Sequence, residues 1–292
     1  MINLEIKQRI IAEIASRKGN YKSQAAMART LGINPAQMSR VLKGEFENVL
    51  SDGNYISIAR KLGIDLKQKE VWVTAKTRVF NFIWGQLESC QENSLSALLC
   101  DIADIGKTHT AKEYVKEHKN AIYIDCSQVK SKQRLIRKIA QEFGLIPAGK
   151  YIDVYEDLVF YLKSIDSPLV ILDEAGDLDY SAFLELKALW NATEHCVGWY
   201  MMGADGLKAK IDRNLNCKKV GYTELFSRFG SKYQKISPDG KDAKDEFNRE
   251  QVALIAKANG VENSHLQKVY ASSGGSLRRI YIEVQKLKRL AA

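Results

Sequence analysis

An apolar run, Leu95-Ser96-Ala97-Leu98-Leu99-Cys100, leads into the short loop Asp101-Ile102-Ala103-Asp104-Ile105. The loop ends in Gly106-Lys107-Thr108 at the start of an amphipathic segment. A strand that passes to a helix through such a loop, with glycine, lysine and a hydroxyl at the turn, has the layout of a phosphate-binding loop. The glycine lets backbone approach a phosphate, the lysine reaches the β- and γ-phosphates, and the hydroxyl holds Mg²⁺. The helix start adds unpaired N–H groups and the positive end of its dipole. The expected nucleotide contacts are Asp104, Ile105, Gly106, Lys107, Thr108 and His109, with Thr108 also on the metal. The usual pattern opens with glycine, but Asp101 stands there, and Asp104 adds a second acid. Either carboxylate would repel phosphate if it pointed inward. The competing reading is an ordinary strand-to-helix turn.

A second stretch favours the nucleotide reading. Ser167-Pro168-Leu169-Val170-Ile171-Leu172-Asp173-Glu174 is a short buried-type strand that ends in two acids, about 65 residues after the loop. In P-loop NTPases such a strand lies beside the P-loop with its Asp on Mg²⁺, which assigns Asp173 to the metal. Glu174 is then placed to polarise a water for attack on the γ-phosphate. One strand of this kind taken alone also suits a plain core strand capped by solvated acids.

The 292 residues exceed one typical domain, and 45% hydrophobic content supports a real core. No apolar run approaches a membrane span and no signal-peptide pattern opens the chain, so the expectation is a soluble, cytoplasmic protein without a membrane partner. The five cysteines are scattered without a C-x-x-C pair, and the four histidines lack ligand spacing. The net charge of +9 suggests a polyanionic partner.

Residues 1–67 read as helices. Ile6, Ile10, Ile11 and Ile14 mark the first. Ser23 caps a second over Gln24 to Leu31, with Ala25, Ala28 and Leu31 inward. Gly32-Ile33 turns the chain, and Asn34 with Pro35 starts a third that stops at Lys43-Gly44. A fourth runs from about Asp52 to Leu62. The segment Ser23 to Gly44 resembles the helix-turn-helix of the lambda-repressor and Cro type: Ala28 at the crossing, Gly32 in the turn, apolar Ile33, Met38 and Val41. In that fold the second helix enters the major groove of double-stranded DNA, which leaves Asn34, Gln37, Ser39, Arg40 and Lys43 facing outward. Gln37 suits adenine, and Arg40 and Lys43 suit phosphate or guanine. Eleven Lys or Arg against six Asp or Glu over residues 1–67 agree with a DNA partner. A helical protein-interaction module of the same shape is the alternative.

Lys67-Gln68-Lys69-Glu70 is a charged connector and the expected boundary. Beyond it, a helix carries Val79, Phe82, Ile83 and Leu87 inward. Strands at Ala121–Asp125, up to Asp173 and at Val197–Gly203 alternate with helices, and Lys232–Ile236 reads as a last short strand. Such alternation means an α/β fold with a parallel sheet covered on both faces. With Glu224-Leu225-Phe226-Ser227-Arg228-Phe229 before that last strand, the region resembles an AAA+ ATPase. The resemblance assigns Arg228 as an arginine finger that reaches the neighbouring subunit's ATP. The family's polar sensor after the fourth strand is replaced here by Gly203-Ala204. Three helices follow, over Asp242–Lys257, Ser264–Ala271 and Ser276–Leu290. They fit the family's small lid, whose last helix brings an Arg to the γ-phosphate, and Arg278 matches it.

The expected division is 1–67 helix-turn-helix, 68–236 P-loop AAA+ core and 237–292 helical lid. That order resembles the AAA+ ATPases of the Mu B, TnsC and IstB type. The resemblance implies ATP and Mg²⁺ as cofactors and a homo-oligomer, a helical filament or ring, on double-stranded DNA. It also implies recruitment and activation of a transposase for target-site selection in DNA transposition. A nucleotide-sensing transcription regulator, a helicase-loader-like ATPase and an ATP-binding scaffold remain the alternatives.

Overall fold

The structure, a computed structural model, describes residue 2, residues 4–66 and residues 72–291. The connector Lys67 to Glu70 lies outside the described residues.

Four short helices come first: α1 (Leu4–Ser16), α2 (Gln24–Leu31), α3 (Pro35–Leu42) and α4 (Asp52–Leu62). Their starts are written locally. Ser23 accepts the Ala26 N–H at 3.1 Å, and Ser51 accepts that of Asn54 at 3.2 Å. Gly32 and Gly63 end α2 and α4 at φ of 75° and 71°, a conformation other residues adopt only with strain. Ile10, Ile14, Met27, Leu31, Met38 and Tyr55 pack among the residues of one apolar cluster. Ala28 and Leu31 are buried as expected, while Ala25 is half-buried and Met27 is fully buried.

The central layer is a four-stranded parallel sheet in the order β1-β4-β3-β2. Its strands are β1 (Ser96–Cys100), β2 (Ala121–Asp125), β3 (Leu169–Asp173) and β4 (Gly198–Gly203). Side chains alternate between two cores, as the two-residue period of a strand requires. On β3, Val170 and Leu172 face one core and Leu169 and Ile171 the other. The first core is covered by α7 (Lys132–Glu142), α8 (Tyr151–Ser164), α9 (Tyr180–Ala192), α10 (Asp205–Asn216) and α11 (Tyr222–Arg228). The second is covered by α5 (Arg78–Asn93) and α6 (Lys107–Glu117). Phe82, expected inward on α5, is exposed, and Phe80 takes the buried place. The final helices are α12 (Lys241–Ala258), α13 (Asn263–Ser273) and α14 (Leu277–Ala291).

One expectation is corrected. Lys232–Ile236 is not a strand. It makes one parallel bridge, with the Gln234 N–H on Leu98 O at 2.8 Å and the Cys100 N–H on Gln234 O at 3.0 Å. The chain leaves the sheet there because Asp101 captures the amides of Ile236 and Ser237, as described below. In the sheet, β4 lies between β1 and β3.

The N-terminal helices dock on the sheet's helical layer through α2. Arg29 Nε donates to Gly144 O at 2.8 Å, and Thr30 Oγ1 donates to Gln141 O at 3.3 Å. Gly144 is held so close that a Cβ there would lie 2.8 Å from that of Ala26. Among the described residues no helix is long and apolar enough to cross a membrane.

Candidate functional site

The candidate site lies at the carboxyl ends of the strands, where open α/β sheets bind ligands. β1 ends at Cys100, the loop 101–106 follows, and α6 opens at Lys107. Two residues give the loop its shape: Asp104 at φ 64° and Gly106 at φ 98°. Gly106 precedes α6, whose first N–H groups have no acceptor within the helix. Lys107 is buried and folded back into the loop, its Nζ donating to Asp101 O at 2.8 Å and Ile102 O at 2.6 Å. Burial pushes its pKa down, opposed by the charges of Asp101, Asp173, Glu174 and Asp205.

Asp101, the departure from the opening glycine, is turned away from the loop interior and is only 1% exposed. Its Oδ2 accepts the N–H groups of Ile236 at 2.7 Å and Ser237 at 2.8 Å. Its Oδ1 accepts the Ile102 N–H at 2.7 Å and the Ser237 hydroxyl. The carboxylate therefore fastens the segment that leads to α12, and the anticipated repulsion of a ligand in the loop does not arise from it.

Asp104 points elsewhere again. It accepts the Ser276 hydroxyl at 2.5 Å and the Arg278 N–H at 3.1 Å, with the Arg278 Nε at 3.6 Å. The phosphate-binding-type loop is thus tied to the first turn of α14.

Although β4 separates β1 from β3, α6 carries Thr108 across to β3. Its Oγ1 donates to Asp173 Oδ2 at 2.6 Å. Asp173 is buried and also accepts the Tyr123 hydroxyl at 2.8 Å and, on Oδ1, the Glu174 N–H at 2.9 Å. Burial first, then the Asp173 carboxylate, pushes the Tyr123 phenol up, so it stays a donor. Glu174 sits exposed at φ 50°, a left-handed conformation that costs a non-glycine residue free energy. Burial, then Asp173, raises its pKa above the ordinary glutamate value. A hydroxyl and a buried carboxylate in contact form the donor set that suits a hard divalent cation beside phosphates.

His109 faces Thr74, with Nε2 and Oγ1 3.0 Å apart. Gly203 ends β4 without a side chain because α10 crosses there: a Cβ would lie 2.8 Å from that of Leu207. Arg228 is not among the groups that meet at the loop. It stacks 5.3 Å over Trp190 and donates to Asn191 Oδ1 at 2.6 Å and Glu224 O at 2.7 Å.

The candidate DNA-reading residues divide. Asn34 and Gln37 form a capping box at the start of α3, with Oδ1 of Asn34 on the Ala36 N–H at 2.8 Å and Oε1 of Gln37 on the Asn34 N–H at 3.2 Å. Gln37 Nε2 also donates to Val49 O at 3.0 Å. Ser39 is half-buried, Arg40 pairs with Glu45 at 2.7 Å, and Lys43 is exposed. Sequence reading named neither Tyr123, Ser276, Thr74 nor Asp205 for the site. The Asn-x-x-Gln cap was legible in the sequence.

Comparisons with known proteins bear on the fold. Residues 91–211 match the AAA domain family. Over 215 residues the chain is 26% identical to the Mu-like prophage FluMu DNA transposition protein B of Haemophilus influenzae, covering 70% of this chain and 72% of that protein. Among solved structures, the Aeropyrum pernix ORC1 protein in complex with DNA superposes with a TM-score of 0.52 at 18% identity. The match covers 72% of this chain and spans 58% of the ORC1 chain. Residues 91–211 are thus similar to AAA domains, and the parallel sheet with its flanking helices has the P-loop AAA+ fold.

Proposed function

We propose that this chain is an ATP-dependent DNA-binding ATPase. In this reading it assembles on double-stranded DNA and recruits and activates a transposase for target-site selection. The observation that carries the nucleotide part is the 2.6 Å contact of Thr108 with Asp173 beside the buried Lys107. Two separate motifs converge there on one point, as Mg²⁺-assisted binding of a triphosphate requires. The transposition part is supported by the similarity to a DNA transposition protein over 70% of the chain.

The residues present fit ATP and Mg²⁺. Thr108 and Asp173 would hold the metal, which with ATP supplies a polarised γ-phosphoryl group. Lys107, now on the carbonyls of Asp101 and Ile102, would hold the phosphates. Ile105, Gly106 and His109 would add backbone N–H groups to the phosphates. Glu174, half out of the strand, accepts a proton from water. Arg228 acts on a neighbouring subunit, and such a head-to-tail contact generates rings or helices rather than two-fold dimers.

DNA contact is assigned to α3 through Ser39, Arg40 and Lys43, with Asn34 and Gln37 fixing its start. Two of the five candidate base readers are used in that cap, which favours phosphate tracking over operator reading. A cleft of about 1040 Å³ between the N-terminal helices and the sheet adds cations, among them Lys22, Arg60, Lys61, Lys112 and Lys138. The division at 1–67, 68–236 and 237–292 belongs to the same reading.

The test is fluorescence anisotropy of a random-sequence duplex with and without a slowly hydrolysed ATP analogue. Tight binding that needs the analogue, falls steeply with salt and is lost in Lys107→Ala is expected. Equal binding by Lys107→Ala would remove the ATP dependence from the proposal.

A further inference from the structure

Asp104 occupies a left-handed position, φ 64°, that glycine fills without strain. A carboxylate is nonetheless present, and among the described residues its partners lie together at the start of α14. It takes the Ser276 hydroxyl, the Arg278 N–H and the Arg278 guanidinium, at 2.5, 3.1 and 3.6 Å. The Arg278 side chain is 84% exposed, so burial does not force it onto Asp104. The same loop holds Lys107 on its own carbonyls. Both cations assigned to the phosphates are thus engaged within the chain.

We propose that Asp104 is an internal competitor for Arg278, so that the first turn of α14 leaves the loop only when a γ-phosphate offers Arg278 a stronger anion. This rests on the nucleotide reading above and adds its regulation. A diphosphate presents nothing to Arg278 in exchange, and the Asp104 contact persists. A triphosphate carries an extra anionic group with three oxygens and displaces a monoanionic carboxylate through charge-assisted hydrogen bonds. Asp104 thereby opposes triphosphate binding and couples it to the position of α14.

The test is a double-mutant cycle on the full chain, with Asp104→Asn, Arg278→Ala and both together. Asparagine keeps an acceptor oxygen and tolerates the left-handed conformation, so the loop is retained. Equilibrium binding of a fluorescent, slowly hydrolysed ATP analogue and of fluorescent ADP is measured, with thermal midpoints as the folding control. Asp104→Asn is expected to tighten the triphosphate roughly fivefold or more and to change ADP by less than about twofold. The gain should vanish in the Arg278→Ala background. A gain that survives there, or that is equal for ADP, means simple repulsion and overturns the proposal, as does no gain. Absence of nucleotide binding in the unaltered chain would instead overturn the reading on which it rests.

Discussion

Each carboxylate around the loop has a different task, set by what it faces. Asp173 gathers the Thr108 and Tyr123 hydroxyls, Glu174 stands exposed on a left-handed backbone, and Asp101 is sealed against Ile236 and Ser237. The tasks separate in mutants. Glu174→Gln should keep nucleotide and DNA binding and lower steady-state ATP turnover about 100-fold or more, the range for loss of a general base. A coupled phosphate-release assay reads this, and unimpaired turnover would remove Glu174 from that role. Asp101→Ala leaves the N–H groups of Ile102, Ile236 and Ser237 and the Ser237 hydroxyl without their acceptor and should cost roughly 2–4 kcal/mol of stability. Urea unfolding reads the loss as a lower midpoint.

Between elements, close backbone approach matters more than side-chain identity. Gly198 opens β4 under α5, and a Cβ there would lie 2.3 Å from the Cys90 carbonyl oxygen. Gly198→Ala should therefore force α5 off the sheet and cost about 3 kcal/mol, seen as a lower denaturant midpoint at unchanged slope. The elements themselves were largely legible: β2 and α4 have their expected bounds, because period-two and helical patterns are local. What was not legible depends on distant partners. Asp101 read as a flaw in the loop, since its acceptor role involves Ile236 and Ser237, 135 and 136 residues away. Lys232–Ile236 read as a strand because its pattern is local, while its early departure from the sheet is a tertiary capture. Phe80 and Phe82 exchange places because the helix phase is set by what α5 packs against. Asp104 is the same case, its partners Ser276 and Arg278 lying 172 and 174 residues away. Lys107, Thr108, Asp173 and Glu174 stood out because each belongs to a contiguous motif whose spacing is local.

At the scale of the whole molecule, an N-terminal helical unit with exposed Lys43 is docked through α2 onto an AAA+ sheet, and the last helix is tied back to the loop. Arg228 stacks on Trp190 at the end of α11 and does not meet the loop of its own chain; under the proposed function it would act in the site of a second copy. The account therefore stands on nucleotide-dependent assembly. Negative-stain electron microscopy of the chain on random-sequence duplex DNA, with and without a slowly hydrolysed ATP analogue, tests it most directly. Filaments or rings that need both DNA and analogue, and that fail to form with Lys107→Ala or Arg228→Ala, are the predicted result. Discrete dimers, or the same assemblies without nucleotide, would contradict it.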